Sequence, residues 1–289
     1  MSVLRLALAP YPVERVDGAR GFLGRVDDLA ATAVRAGAEL LVLPEYAAME
    51  IAGDRGGDAL AELAAVSAEA PALLEAMRDL AARHGLWLLP GSLPMPVDGG
   101  IRNIAPLIAA DGRLALQQKS VMTRFERETL GISPGTPPAV FATPWGRIGI
   151  AICYDVEFPT LVRAQVEAGA WLILVPTCTD TPHGFNRVRL AARARALENQ
   201  CFVAIAPTIG DAPWLATLDE NHGYAAVFGP VDRGFPEDGV IARGDLDRPG
   251  LVIADLDPAR LAAVRSDGAV RNFADWPHAP AVAPLRTPA

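Results

Sequence analysis

No apolar run in the 289-residue chain reaches the roughly 18–20 residues that a membrane-spanning helix needs, so no helical membrane protein is expected. An excess of basic charge is also lacking. There are 26 Lys and Arg against 34 Asp and Glu, a formal net charge of −8. That balance argues against a nucleic-acid or anionic-membrane partner. Cysteine is scarce: Cys153, Cys178 and Cys201 form an odd count without CxxC spacing, which speaks against a disulfide framework. The four histidines (His84, His183, His222 and His278) are scattered, with no HExxH and no paired Cys/His spacing. Neither a zinc site nor a cofactor is therefore expected. The N-terminus MSVLRLALAPYPVERV lacks the basic leader, apolar segment and small-residue cleavage site of a secretory signal. It reads as a first strand, and a cytoplasmic location is expected.

What is present is a folded chain: 51% of its residues are hydrophobic. Strand-like and helix-like stretches alternate through the first half. Val3 to Leu8, Leu40 to Leu43 and Leu86 to Leu89 are short apolar runs. Between them lie helical patterns over Gly21 to Gly37 and Asp58 to Gly85, the second with an interruption expected at Pro71. Asp111-Gly112 then marks a hairpin between Ile104 to Ala109 and Leu114 to Gln118. Alternating βα units plus hairpins predict sheets with helices on their outer faces. With no repeat and no low-complexity linker, one domain over 1–276 is expected, followed by a Pro/Ala-rich tail, 277–289, that is either disordered or packed as an arm.

The second half centres on RIGIAICYDVEFPTLVRAQVEAGAWLILVPTCT, Arg147 to Thr179. An apolar run ends at Ile152, Cys153 follows, and a helical segment begins. A thiol where a buried strand turns toward a helix is well placed as a nucleophile on a rigid support. A free thiol is only a few per cent ionised at pH 7, so it needs a base. A carboxylate serves if burial raises its pKa, and the tetrahedral intermediate needs positive charge or N–H donors. Glu45 after LLVLP, Lys119 after LALQQ and Glu128 in RFERETLGISPG supply such groups at strand ends or loops. Each alone also reads blandly, as a helix cap or a solvated charge; together with Cys153 they make a set for amide chemistry without histidine or metal.

LLVLPEY, QQKSVMTRFERETLGISPG and GIAICYDVEFP, followed by GAWLILVPTCTD and RVRLAARARALENQCFVA, resemble the nitrilase superfamily of carbon–nitrogen hydrolases. The resemblance covers nearly the whole chain and implies an αββα sandwich with a Glu–Lys–Cys triad. It makes Cys153 the nucleophile, Glu45 the general base, and Lys119 the oxyanion partner together with the Tyr154 N–H. The family's second glutamate precedes a Pro-Gly by a fixed distance. Glu128, seven positions before Gly135 (135 − 128), is taken for it, with Glu126 as the fallback.

Thr177, Cys178 and Thr179 fall in the segment that lines the family's substrate pocket, and His183 is the one histidine considered for a substrate contact. Arg187 is weighed between a substrate carboxylate and an ion pair within its helix, and Asn103 is assigned to holding a hairpin. Cys-Tyr-Asp-Val-Glu-Phe-Pro is similar to the aliphatic-amidase-like and omega-amidase-like branches rather than to true nitrilases, which carry Cys-Trp-Glu. The implied activity is hydrolysis of a small-molecule amide through a cysteine thioester, releasing ammonia or an amine. The alternatives are a nitrilase or a catalytically silent ligand-binding relative. The resemblance also implies a homodimer or larger homo-oligomer.

Overall fold

A computed structural model describes residues 2–279, and its elements follow the alternation seen in the sequence. The first half runs β1 (Leu4–Leu8), β2 (Tyr11–Pro12), α1 (Gly18–Arg35), β3 (Leu40–Val42), α2 (Ala59–His84), β4 (Trp87–Leu89), β5 (Leu93–Val97), β6 (Gly100–Ile108), β7 (Leu114–Gln118) and α3 (Arg124–Glu128). The second runs β8 (Val140–Thr143), β9 (Gly146–Ile150), α4 (Pro159–Glu167), β10 (Leu172–Thr177), α5 (Pro182–Asn199), β11 (Phe202–Ile209), β12 (Ala226–Phe228) and β13 (Val240–Arg243). It closes with β14 (Val252–Leu256), α6 (Pro258–Asp267) and α7 (Asn272–Asp275).

Two seven-stranded sheets result among the described residues. One has the order β14-β1-β3-β4-β6-β5, with β7 also on β6; the other is β13-β12-β11-β10-β9-β8, with β2 on β11. Side chains alternate across a strand, so each sheet has two faces to cover. Leu4, Leu6, Leu8, Leu40 and Val42 point one way and pack with Ile148, Ile150, Leu172 and Leu174 of the second sheet. Ala7, Leu41 and Leu43 point the other way, onto Phe22 and Val26 of α1 and Leu63 and Met77 of α2. On the far side, Val162 and Val166 of α4 and Val188, Ala192 and Ala196 of α5 cover the second sheet. The layers are helix, sheet, sheet, helix: the expected αββα sandwich.

One expectation changes. Helix α2 runs unbroken through Pro71, which is exposed. A proline removes one intrahelical bond; here the buried flank of Ser67, Ala70, Leu73 and Leu74 holds the helix on its sheet across that defect. Strand β5 (LPMPV) carries Pro94 and Pro96 and pairs with β6 at the end of its sheet, as an edge strand, where proline is tolerated. The expected domain end at 276 falls inside a 3-10 turn, Trp276–His278, and residues 280–289 of the expected tail lie outside the described residues.

Candidate active site

The C-terminal ends of β3, β7, β9 and β10 converge, and each delivers one polar side chain. Glu45 follows β3 and makes an isolated bridge with Ser92, whose carbonyl accepts the Tyr46 N–H at 2.9 Å. That approach needs Gly91: a Cβ there would lie 1.8 Å from the Pro44 carbonyl oxygen. Lys119 follows β7, its N–H donating to the Asn103 carbonyl at 2.9 Å, so Lys119 and Asn103 are cross-strand neighbours. The Lys119 carbonyl accepts the Gly135 N–H at 2.8 Å, and a Cβ at Gly135 would stand 2.3 Å from Cβ of Gln118. The Pro-Gly after α3 is thus a close backbone approach that holds the lysine's strand end.

Lys119, only 1% exposed, donates through Nζ at 2.7 Å to Glu45 Oε1 and at 2.7 Å to Glu126 Oε2. Asn103 Nδ2 donates to the same pair, at 2.9 Å to Glu45 Oε1 and 3.0 Å to Glu126 Oε1. Tyr46 OH donates to Glu126 Oε1 at 2.8 Å, and the Cys178 N–H to Glu45 Oε2 at 3.1 Å. An ammonium has three donors; two are committed to carboxylates, and Lys119 lines the cavity described below.

Burial pulls against the Lys119 charge, but Glu126 and Glu45 outweigh it and hold the lysine well above its ordinary value. Burial also pushes the Glu45 carboxyl up, with Lys119 opposing. For Glu126 the same burial is overcome by Lys119 and the Thr123 and Asn103 donors, so its carboxyl stays below the usual range. Of the two carboxylates, Glu45 is the one whose surroundings favour holding a proton, as a group that accepts and returns one must.

Cys153 opens a 3-10 turn, Cys153–Glu157, with φ of 46°, a left-handed conformation that a side chain rarely adopts. Its Sγ donates to the Cys178 carbonyl at 3.4 Å. Burial and the Glu45 charge push the thiol well above its ordinary value, against Lys119, so it rests neutral. Asp155, two residues on, accepts the N–H groups of Ser120 at 3.0 Å and Val121 at 2.8 Å. It ties the cysteine turn to the loop after Lys119, and burial raises its carboxyl to about 6.

These groups floor a cavity of about 340 Å³. Tyr154, Cys178 and Thr179 line it as expected, while Thr177 is buried at the end of β10 and does not. His183 also does not line it; it is exposed at the start of α5. Cys178 and Cys201 are both pushed up to about 12, chiefly by burial. Arg187 reaches the cavity, with Nε 3.7 Å from Glu157 Oε1, an ion pair with the cysteine turn rather than within α5.

Glu128 requires correction. Its side chain is 57% exposed and pairs with Arg124 at 2.8 Å, on the solvent side of α3; the glutamate against Lys119 is Glu126. The sequence carried a signal for this. Thr123-x-x-Glu126 is a capping box: the Thr123 N–H donates to Glu126 Oε2 at 2.9 Å and the Glu126 N–H to Thr123 Oγ1 at 3.2 Å. Arg124 and Glu128, four apart, have the spacing of a solvent-facing helix pair. Asn103 was missed as well, and its one signal is a polar residue in an apolar strand opposite Lys119.

A model of the carbon-nitrogen hydrolase family matches residues 7–266. A deaminated glutathione amidase of Synechocystis is 32% identical over 256 residues, 84% of this chain and 88% of its own. An omega-amidase of Xenopus tropicalis is 29% identical over 283 residues, 94% and 95% of the two chains. A probable hydrolase of Bacillus subtilis, YhcX, is 31% identical over 274 residues; that match spans 94% of this chain and 53% of that relative's length. Among solved structures, an amidase of Nesterenkonia with the acetamide moiety of fluoroacetamide covalently added at its active-site cysteine aligns with a TM-score of 0.73. It shares 30% identity over 89% of this chain and 92% of that one.

Proposed function

The chain belongs to the carbon–nitrogen hydrolase family, and on that premise we propose that it is an amidase that cleaves small-molecule amides through a thioester on Cys153. The observation that carries the reading is the buried Glu45–Lys119–Glu126 chain of ion pairs, with a strained cysteine beside it at the floor of a cavity.

In this reading Glu45 takes the Cys153 proton as sulfur attacks the amide carbon. The S–H bond breaks, O–H and C–S bonds form, and the carbonyl π electrons move to oxygen. The proton moves between two groups of one buried site, so the site's net charge does not change as the nucleophile forms. The oxyanion meets the third Lys119 N–H and the Tyr154 N–H, which lies in the first turn of a 3-10 segment where N–H groups lack intrahelical partners. Glu45 then returns its proton to the leaving nitrogen, the C–N bond breaks, and ammonia or an amine departs. Water, deprotonated by the same carboxylate, hydrolyses the thioester. Glu126 fixes Lys119 throughout.

Three further parts belong to the reading. The substrate is a small amide, as the Nesterenkonia adduct and its butyramide complex suggest by likeness. The protein works as a homo-oligomer; light scattering at a 30.5 kDa monomer mass would count against that. It resides in the cytosol, where Cys153, Cys178 and Cys201, all free, would stay reduced. No described helix is long and apolar enough to cross a membrane. The test of function is ammonia release from matched panels of aliphatic amides and nitriles. Turnover of amides with acid as product is expected; turnover confined to nitriles would overturn the amidase assignment.

A further inference from the structure

We propose that Asn103 is a positioning residue that decides which oxygen of Glu45 exchanges protons with Cys153. The proposal rests on the Glu45 and Cys153 roles given above. Asn103 is 1% exposed, on β6, and its carbonyl accepts the Lys119 N–H, so its side chain is placed by the same ladder that places the lysine. Its amide nitrogen has two hydrogens. One goes to Glu45 Oε1 at 2.9 Å and the other to Glu126 Oε1 at 3.0 Å.

A carboxylate oxygen accepts along two lone-pair directions. Glu45 Oε1 already takes Lys119 Nζ at 2.7 Å, so Asn103 fills its second direction. Glu45 Oε2 takes only the Cys178 N–H, at 3.1 Å. The open acceptor of the base is therefore Oε2, bonded to the same residue whose carbonyl receives the Cys153 thiol at 3.4 Å. Asn103 saturates one oxygen and leaves Oε2 as the proton's destination. It also puts neutral donors between two carboxylates that would otherwise repel across the lysine. Asn103 Oδ1 is buried without a partner, as fits a side chain held by its donors alone.

The test is Asn103→Leu, similar in volume and without donors, and Asn103→Asp, equal in shape, each checked for folding by circular dichroism. Two readouts are taken against pH: amide kcat and KM, and the rate of Cys153 alkylation by iodoacetamide. Without the donors the Glu45 carboxylate loses stabilisation, so its proton is held more tightly and the acid limb moves to higher pH. The expected result is a fall of about a hundredfold in kcat with KM nearly unchanged, and the same upward shift in the alkylation profile. Asn103→Asp carries the test if the leucine variant does not fold, and a comparable loss is expected of it. A folded variant with an unmoved acid limb and kcat within about twofold of the parent would overturn the proposal, leaving Asn103 as a hairpin residue. Alkylation reads Cys153 whatever the substrate, so a failed amide panel would count against the amidase reading and leave this test standing.

Discussion

The floor and the mouth of the cavity are built from the same residue types and behave differently. On the floor, Glu45, Lys119 and Glu126, with Asn103 bonded to both carboxylates, are all 2% exposed or less and hydrogen-bonded to one another. At the mouth, Arg124 pairs with Glu128 and Arg187 with Glu157, and both arginines are mostly exposed, at 87% and 62%. Charges on the floor cannot relax into water, so removing one partner strands the other at a cost of several kcal/mol, about 3–5 in comparable cases. Pairs at the mouth are screened and worth about 0–1 kcal/mol. The reaction should therefore depend on the floor, and the choice of substrate on the mouth.

The largest expected effect is at the nucleophile and base. Cys153→Ala should remove turnover, and Glu45→Gln should lower kcat by about 100- to 10,000-fold in a folded protein, measured by ammonia release. Near-parental activity in Glu45→Gln would take Glu45 out of the mechanism.

Next comes the sharpest contrast between the regions, two glutamates on one short helix. Glu126→Gln should cost about a hundredfold in kcat/KM, because Lys119 loses a buried counter-charge. Glu128→Gln should stay within about twofold. Equal losses in a side-by-side assay would abolish the distinction between floor and mouth.

A smaller effect concerns pH. The Asp155 carboxyl, raised to about 6 in the folded chain, sits near 4 when unfolded. Below pH 4 both states hold the proton. Between about 4 and 6 only the native state does, so stability falls as pH rises; above 6 both are charged and the loss is complete, about 3 kcal/mol at most. Asp155→Asn should flatten that part of the stability–pH curve in urea titrations, while an unchanged slope would show that Asp155 is not its source.

The smallest effect is at the mouth: Arg187→Ala should change KM a few-fold with kcat intact, as expected of a screened pair. A kcat collapse would move Arg187 into the chemistry.

Most of the fold was legible because period and punctuation agreed. The buried strand Leu40–Val42 and the first four residues of Leu172–Thr177 are apolar runs, and Asp111-Gly112 marked the β6–β7 hairpin. Where a local rule conflicts with packing, reading fails: Pro71 does not break α2. At the site, the family's motifs pointed to Glu45, Lys119 and Cys153, and the backbone brings those three together. The second glutamate was misplaced because spacing to Gly135 was preferred over the capping box, which is the local physics that turns Glu126 inward. Asn103 was undervalued because its worth lies in two carboxylates, 58 and 23 residues away in sequence, that no local pattern connects to it.

The central claim is that Cys153 carries the acyl group, and intact-protein and peptide mass spectrometry test it most directly. Rapid acid quench during turnover of a small aliphatic amide should show the protein heavier by the acyl mass. The modification should sit on the Cys153 peptide and be absent from Cys178, Cys201 and the Cys153→Ala variant. An adduct on Cys178, or turnover persisting in Cys153→Ala, would contradict the account.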